Sequence, residues 1–255
     1  MVSKAQIKHI RSLALGKFRR QHQQFVAEGR KIVEEMLLTG GFKYQLYISE
    51  SQTENLSSVI KSASYEVISE KVMKQISQLT TPPGVLAVVD FTTHNYELDD
   101  LKSEISLILD GIRDPGNLGS IIRSAEWFGI QNIFISADTV DPYHPKVVQA
   151  TMGSLFRVRL MEADLITLIN DAQTNGFQVF AAVMDGKSVY KTKLTTKASF
   201  LVIGSESHGI NKKLRTLIKN PISIPSYARG SLKTESLNAS VAAAVLLAEF
   251  RKYGD

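Results

Sequence analysis

Apolar residues recur at near-helical spacing through the first forty positions, and the pattern predicts two helices, over 4–15 and 21–38. In the second, Phe25, Ile32, Val33 and Met36 form the stripe, and Gly40-Gly41 ends it. Short β-like runs follow at Tyr44–Ile48 and Tyr65–Ile68. A helical stretch near 69–78 leads through Thr80-Thr81-Pro82-Pro83-Gly84 into Val85–Val89, an apolar run of the buried-strand type. Together these segments describe an αβαβαβ-like unit of about 90 residues.

The stretch Thr92–Asp100 is polar and without periodicity, as a linker would be, and the pattern changes after it. Ile105–Leu109 is apolar but for Ser106, which predicts a strand covered on both faces of a parallel sheet. A helix is predicted over Leu118–Phe128, and further strands at Asn132–Ile135, Phe177–Val183 and Phe200–Ile203. Helical segments lie between them, notably around 161–173, and Leu237–Tyr253 reads as a long closing helix. The alternation predicts an α/β fold with a mainly parallel sheet. The organisation expected is a small α/β domain over 1–91, a linker over 92–102 and a larger α/β domain over 103–255.

Composition adds bounds. The chain has 255 residues, 44% hydrophobic and 22% charged, as globular proteins have. No apolar run approaches the roughly 18 residues of a membrane span. The start is polar and basic, unlike a secretory signal. Cysteine is absent, which removes disulfides, thiolate metal sites and cysteine nucleophiles. A cytoplasmic protein without membrane contact is expected. The net charge of +5 is unevenly placed: residues 1–31 hold eight Lys or Arg against Glu28 alone, so that stretch carries +7 and the remainder −2. Such a run suits a polyanion partner, and equally a solvated helix face.

The common nucleotide loops are missing. There is no G-x-G pair and no G-x-x-x-x-G-K-[ST], which excludes the dinucleotide fingerprint and the P-loop. Gly204-Ser205-Glu206-Ser207-His208-Gly209 lacks the flanking glycines of a nucleophile elbow. The five histidines are scattered without metal-ligand spacing, so no metal is expected.

Three segments remain. The first runs from Leu109 through Asp110, Asp114-Pro115-Gly116-Asn117 and Gly119 to Arg123: a strand, a glycine-bearing loop and the start of a helix. Asn117 is expected near the N-cap, with Arg123 six residues on, roughly 9 Å along a helix axis. An ordinary strand–turn–helix corner with a surface arginine would look similar. The second, Phe200–Ile210, carries an apolar strand directly into Gly204 and Glu206, at the end of a strand where open α/β sheets bind ligands. A plain turn is the other reading. The third joins Ile222-Ser223-Ile224-Pro225 to Thr234-Glu235-Ser236-Leu237-Asn238-Ala239-Ser240, where Ser236, Asn238 and Ser240 exceed what capping one helix requires.

Together the three segments resemble the motifs of the SpoU/TrmH branch of the SPOUT methyltransferases. The matches are D-P-x-N-x-G-x-x-x-R-x-A from Asp114 to Ala125, G-x-E-x-x-G from Gly204 to Gly209, and Ile224-Pro225 with S-L-N-x-S-V-A from Ser236 to Ala242. The resemblance covers about residues 103–253; residues 1–90 are similar to the small ribosomal-protein-like RNA-binding domain that often precedes it. It implies a C-terminal trefoil-knotted, mainly parallel sheet with helices on both faces. It implies S-adenosyl-L-methionine as cofactor, surrounded by the main chain of Gly204, Ile224 and Leu237. Asn117, Arg123, Glu206, Ser236 and Asn238 match the polar catalytic set. The implied reaction is methylation of a ribose 2'-OH in RNA, rRNA ahead of tRNA because of the N-terminal extension, by a homodimer whose site is completed across the interface. Small residues of the final helix (Ala239, Ala242, Ala243, Ala244) suit close packing there, or in a monomer's core. A tRNA methyltransferase and a non-catalytic RNA-binding or ribosome-assembly protein are the alternatives.

Arg123 matches the family's proposed general base, but a guanidinium stays protonated, so it reads better as a phosphate-binding group that orients the hydroxyl. Two departures mark the chain. Ser226 stands where the family usually has Met. The loop from Pro225 to Ser236 is longer than usual and carries Tyr227, Arg229 and Lys233, suited to contacting RNA or to plain surface.

Overall fold

The computed structural model describes residues 2–228 and 236–252, and the chain forms two compact units. The first comprises residues 1–93 together with 141–157; the second, 94–140 and 158–255. Of the expectations above, Arg229, Lys233, Thr234, Glu235 and Tyr253 lie outside the described residues.

The first unit opens with α1 (Lys4–Ser12) and α2 (Gly16–His22), followed by β1 (Gln24–Glu28) and α3 (Arg30–Thr39). Then come β2 (Tyr44–Ser49), α4 (Ser58–Lys61), β3 (Glu66–Ile68), α5 (Glu70–Ile76) and β4 (Val85–Asp90). Ser3 and Gln6 close a reciprocal capping box at the start of α1. The strands form one sheet in the order β1-β4-β2-β3, with β2 and β3 parallel and the other pairs antiparallel. The helix expected over 21–38 is corrected here. Phe25 lies on β1, where the chain pairs with β4 from Gln24 opposite Asp90 to Glu28 opposite Leu86, and only Ile32, Val33 and Met36 form the buried stripe of α3. Ladder pairing with a strand some sixty residues away overrides the local helical spacing.

The basic N-terminus is also partly committed to the fold. Arg19 is 2% exposed. Its guanidinium donates to Asp141 Oδ2 at 2.9 and 2.6 Å and to the carbonyls of Leu13 and Ala14. Arg30 pairs with Glu34 and Lys31 with Glu35, one helical turn on in each case. Lys4, Lys8, Arg11, Lys17 and Arg20 stay exposed on α1 and α2. Residues 141–157 bring α7 (Pro145–Thr151) against β1, and Tyr143 packs on Phe25 and Phe91 with ring centroids 4.6 and 4.0 Å apart.

The second unit contains β5 (Ile105–Asp110), α6 (Pro115–Trp127), β6 (Asn132–Ile135), β7 (Arg159–Glu162), α8 (Leu165–Thr174) and β8 (Gln178–Ser188). It closes with β9 (Ser199–Gly204), α9 (Lys212–Leu217), β10 (Asn220–Ser223) and α10 (Ala239–Arg251). Its six strands run in the order β10-β8-β9-β5-β6-β7, every pair parallel, as the apolar runs predicted. The helical reading of 161–173 splits into the end of β7 and α8, because Asp164 caps the helix with its carboxylate on the N–H groups of Ile166 and Thr167. Strands β7 and β10 have no counterpart in the sequence reading. On one face Phe200 and Val202 pack with Phe134, Phe177 and the buried residues of α8 and α9. On the other, Phe180 meets Phe250 of α10 edge to face, and α10 packs along α6. Among the described residues no helix is long and apolar enough to cross a membrane.

Candidate active site

Strands β5 and β9 are neighbours with Asp110 opposite Gly204, so the loops after them leave the sheet side by side. This is where the strand order reverses, β5 leading outward to β6 and β7 while β8 and β9 lie on its other side. Open parallel sheets bind ligands at such a point.

After β5, burial pushes the Asp110 carboxyl above its usual range, opposed by the Asn211 N–H that donates to it at 2.6 Å. Ser136 Oγ accepts the Gly111 N–H at 2.8 Å and donates to Asp138 Oδ1 at 2.7 Å. That hydroxyl, with Arg113, holds the Asp138 carboxyl below its usual range. The cap of α6 is Asp114, whose Oδ1 accepts the Asn117 N–H at 2.7 Å, and Pro115 follows at the first helical position. Asn117, expected near the N-cap, is therefore inside the first turn, because the carboxylate three residues earlier takes the capping role. Its side-chain amide is left to reach across to the loop after β9.

There a tight cluster forms. Asn117 Nδ2 donates to Glu206 Oε1 at 3.0 Å, Asn238 Nδ2 donates to the same oxygen at 2.5 Å, and the Ala239 N–H does so at 2.9 Å. Asn238 Nδ2 also reaches Asn117 Oδ1 at 2.9 Å. Asn238 caps α10, its Oδ1 accepting from the N–H groups of Ser240 and Val241. One carboxylate oxygen thus ties three chain segments together at the positive end of a helix. Ser240 serves the same cap, its hydroxyl donating to Asn238 Oδ1 at 2.6 Å.

Beside the cluster lies a cavity of 720 Å³, walled by the end of β8 (182–185), by 203–206, by 222–227 and by the entry to α10. Gly204, Ile224, Leu237, Glu206 and Ser236 all line it; Asn117 and Asn238 join it through Glu206. Arg123 is not brought in. It is exposed on α6, and among the described residues it has no hydrogen bond or ion pair. Gly204 has a stricter duty than admitting a ligand. A Cβ there would lie 2.2 Å from the Gly209 carbonyl carbon and 2.3 Å from the Ile210 nitrogen, so the chain's own backbone requires glycine.

One wall was not legible in the sequence. The strand predicted to end at Val183 continues to Ser188, and its pairing with β10 jumps from Pro221 opposite Ala181 to Ile222 opposite Lys187. Ala182 to Gly186 leave the ladder as a bulge, and a Cβ at Gly186 would sit 2.5 Å from the Ile222 backbone. The Asp185-Gly186 pair at the end of an apolar run was the available signal.

The volume is that of a small-molecule pocket. Apolar Ile224 and Leu237, set among loops offering main-chain donors and acceptors, suit a purine with flat apolar faces and a hydrogen-bonding edge. These residues fit S-adenosyl-L-methionine. Among the described residues no group of three or more His, Cys, Asp or Glu is placed to hold a metal ion.

Comparison with known proteins agrees with this geometry. The profile of the SpoU rRNA Methylase family matches residues 104–248, and that of an MRM3-like substrate binding domain matches 4–87. A structure assigned to the TrmH family of RNA methyltransferases, from Porphyromonas gingivalis, is 35% identical with a TM-score of 0.86, each chain covered to 99%. An AdoMet-bound rRNA methyltransferase from Sinorhizobium meliloti is 29% identical with a TM-score of 0.82, covering 99% of this chain and 97% of that one. The 23S rRNA (guanosine(2553)-2'-O)-methyltransferase RlmP of Bacillus subtilis is 25% identical over 245 residues, 96% of this chain and 95% of its own length. The second unit's parallel sheet, its cavity and its motif-borne cluster are those of a methyltransferase, and the chain belongs to the SpoU rRNA methylase family.

Proposed function

We propose that the chain methylates a ribose 2'-hydroxyl of ribosomal RNA with S-adenosyl-L-methionine as methyl source, in the cytoplasm and as a homodimer. In this reading residues 1–91 bind the RNA substrate, 92–102 link, and 103–255 form the methyltransferase domain, its C-terminal part a trefoil knot. The single observation that carries the proposal is the Asn117–Glu206–Asn238 cluster at the edge of the cavity. The knot is supported by the match of the SpoU rRNA Methylase family over residues 104–248. The dimer is supported by Trp127, 81% exposed on α6 one turn beyond Arg123, and by exposed Val241 on α10, which packs beside α6. A second copy seated on this face would shield the indole and bring Arg123 to a neighbouring cavity.

The bound cofactor supplies an electrophilic methyl group on a sulfonium centre. Gly204, Ile224 and Leu237 hold its adenine and methionine portions through their main chain. Arg123 binds an RNA phosphate through two parallel N–H donors and so fixes the position of the ribose hydroxyl. Asn117 and Asn238 orient the ribose, and Ser236, exposed at the cavity wall, offers a hydroxyl to either partner. Glu206 keeps both amides in place. Its replacement by alanine should cost about 1–2 kcal/mol of stability, since the α10 N–H and two amides lose their shared acceptor to water. Methyl transfer should fall at least tenfold with little change in RNA affinity; calorimetry, a transfer assay and an RNA binding curve measure the three effects.

The deciding experiment supplies S-adenosyl-L-methionine labelled in its methyl group to unmodified rRNA and tRNA pools. Incorporation into rRNA, recovered as 2'-O-methyl nucleoside, is expected. Incorporation into tRNA alone would transfer the assignment to tRNA. Cofactor binding without incorporation into either pool would contradict the substrate, and neither binding nor incorporation would favour a non-catalytic RNA-binding protein.

A further inference from the structure

The second unit is not uniformly charged. Residues 94–140 and 158–177 hold eleven Asp or Glu against four Lys or Arg, whereas 178–228 hold eight Lys or Arg against two acids. Both of those acids are engaged: Asp185 is paired with Arg215 at 3.8 Å, and Glu206 receives the three N–H donors of the cluster. Apart from Arg215, the cations of this stretch are therefore not neutralised locally.

The fold sorts them. Lys197 and Lys219 precede β9 and β10 and so lie at the N-terminal end of the sheet. Lys187, Lys212, Lys213 and Arg215 lie at the other end, with the cavity. Lys187 stands opposite Ile222, a cavity residue, in the β8–β10 ladder. Lys212 and Lys213 follow Asn211, whose N–H is bonded to Asp110 at the end of β5. Arg215 itself lines the cavity, as does Tyr227, 81% exposed. All three lysines are exposed, and among the described residues none has an ion-pair partner. Asp185 and Glu206 also line the cavity, but Asp185 is paired with Arg215 and Glu206 is held by the cluster. The three lysines therefore leave an excess of positive charge at the rim, which focuses a field on whatever approaches the mouth.

We infer that this rim is a second RNA contact, carried by the catalytic unit itself: Lys187, Lys212 and Lys213 hold the phosphate backbone of the substrate strand at the cavity mouth. This rests on the RNA-methyltransferase reading. It adds a contact in the second unit to the basic N-terminus, where Arg19, Arg30 and Lys31 are already paired.

The test compares the full-length chain with Lys212→Gln/Lys213→Gln and with Lys197→Gln/Lys219→Gln, which remove equal charge from opposite ends of the same sheet. Binding of a labelled, unmodified rRNA transcript is measured against salt concentration, with cofactor binding and methyl transfer in parallel. Each phosphate contact contributes about 0.7–0.9 to the slope of log affinity against log salt. The Lys212/Lys213 variant should lose about 1.5 from that slope with unchanged cofactor affinity, while the Lys197/Lys219 variant keeps it. An unchanged slope, or equal losses in both variants, overturns the inference while methyl transfer by the unmodified chain still upholds the function. If the unmodified chain neither binds nor methylates RNA, both readings fall.

Discussion

Gly204→Ala is expected to unfold well below the unaltered protein and to lose cofactor binding. A Cβ at this position meets only backbone: the Gly209 carbon at 2.2 Å, its oxygen at 2.3 Å and the Ile210 nitrogen at 2.3 Å. No side chain can rotate aside, so relief requires moving either β9 or the loop that returns past it. β9 is paired on both sides, to β5 and β8, and the returning loop forms a cavity wall. The cost belongs at or above the top of the overpacking range, about 3 kcal/mol, which for a domain of this size lowers Tm by roughly 6–12 °C. Gly209→Ala is the control. Gly209 has a left-handed φ of 65° but open space around it, so alanine there costs only about 1 kcal/mol of conformational strain. Thermal unfolding and calorimetric titration of the two variants separate the effects. Equal, small losses would mean that the chain passage at Gly204 is looser than its contacts require.

Arg123→Ala is expected to abolish methyl transfer while leaving fold and cofactor affinity intact. The side chain is exposed on α6, so its truncation should change stability by no more than about 0.5 kcal/mol. It lies outside the cavity lining, so cofactor affinity should hold. Positioning groups of this kind contribute about 10²–10³ in rate when they act only on the reacting assembly. Arg123→Lys should recover only part of the activity, because an ammonium keeps the charge but not the planar fork that grips a phosphate. Single-turnover transfer rates and cofactor titrations decide it. A parallel loss of cofactor affinity would make Arg123 a cofactor ligand, and retained activity would remove it from the site. Trp127→Glu probes the same face: a monomer as inactive as Arg123→Ala would tie that side chain's role to the second copy.

Most of the second unit could be read along the chain, for physical reasons. A central parallel strand is largely apolar on both faces, so β6 and β9 stand out as apolar runs and β5 as one broken only at Ser106, and the site loops after β5 and β9 follow such runs directly. Residues of the cluster could be named because their chemistry is concentrated in short motifs. Edge strands were illegible. β7 has the burial pattern of a half-covered strand, and β10 is four residues long and contains Pro221, so neither gives a clear period. In the first unit, Phe25 fits a helical stripe by spacing and a strand by pairing, and only the partner β4 decides between them. The charge of the N-terminus was countable from sequence, but not that Arg19 would be buried on Asp141, a residue 122 positions away.

The adjacency of Asp110 and Gly204 also sets a timetable for synthesis. One edge of β5 finds β6 within a few dozen residues, but the other must wait until β9, 94 positions later, has been made. At about 5–20 residues per second the nascent chain carries that open edge for roughly 5–20 s. Its sequence, Ile105-Ser106-Leu107-Ile108-Leu109, is of the kind that pairs with any strand on offer. Until its proper neighbour emerges, this strand is the part of the nascent protein that most needs shielding by a chaperone, and slowing translation between β6 and β9 should raise the fraction lost to aggregation.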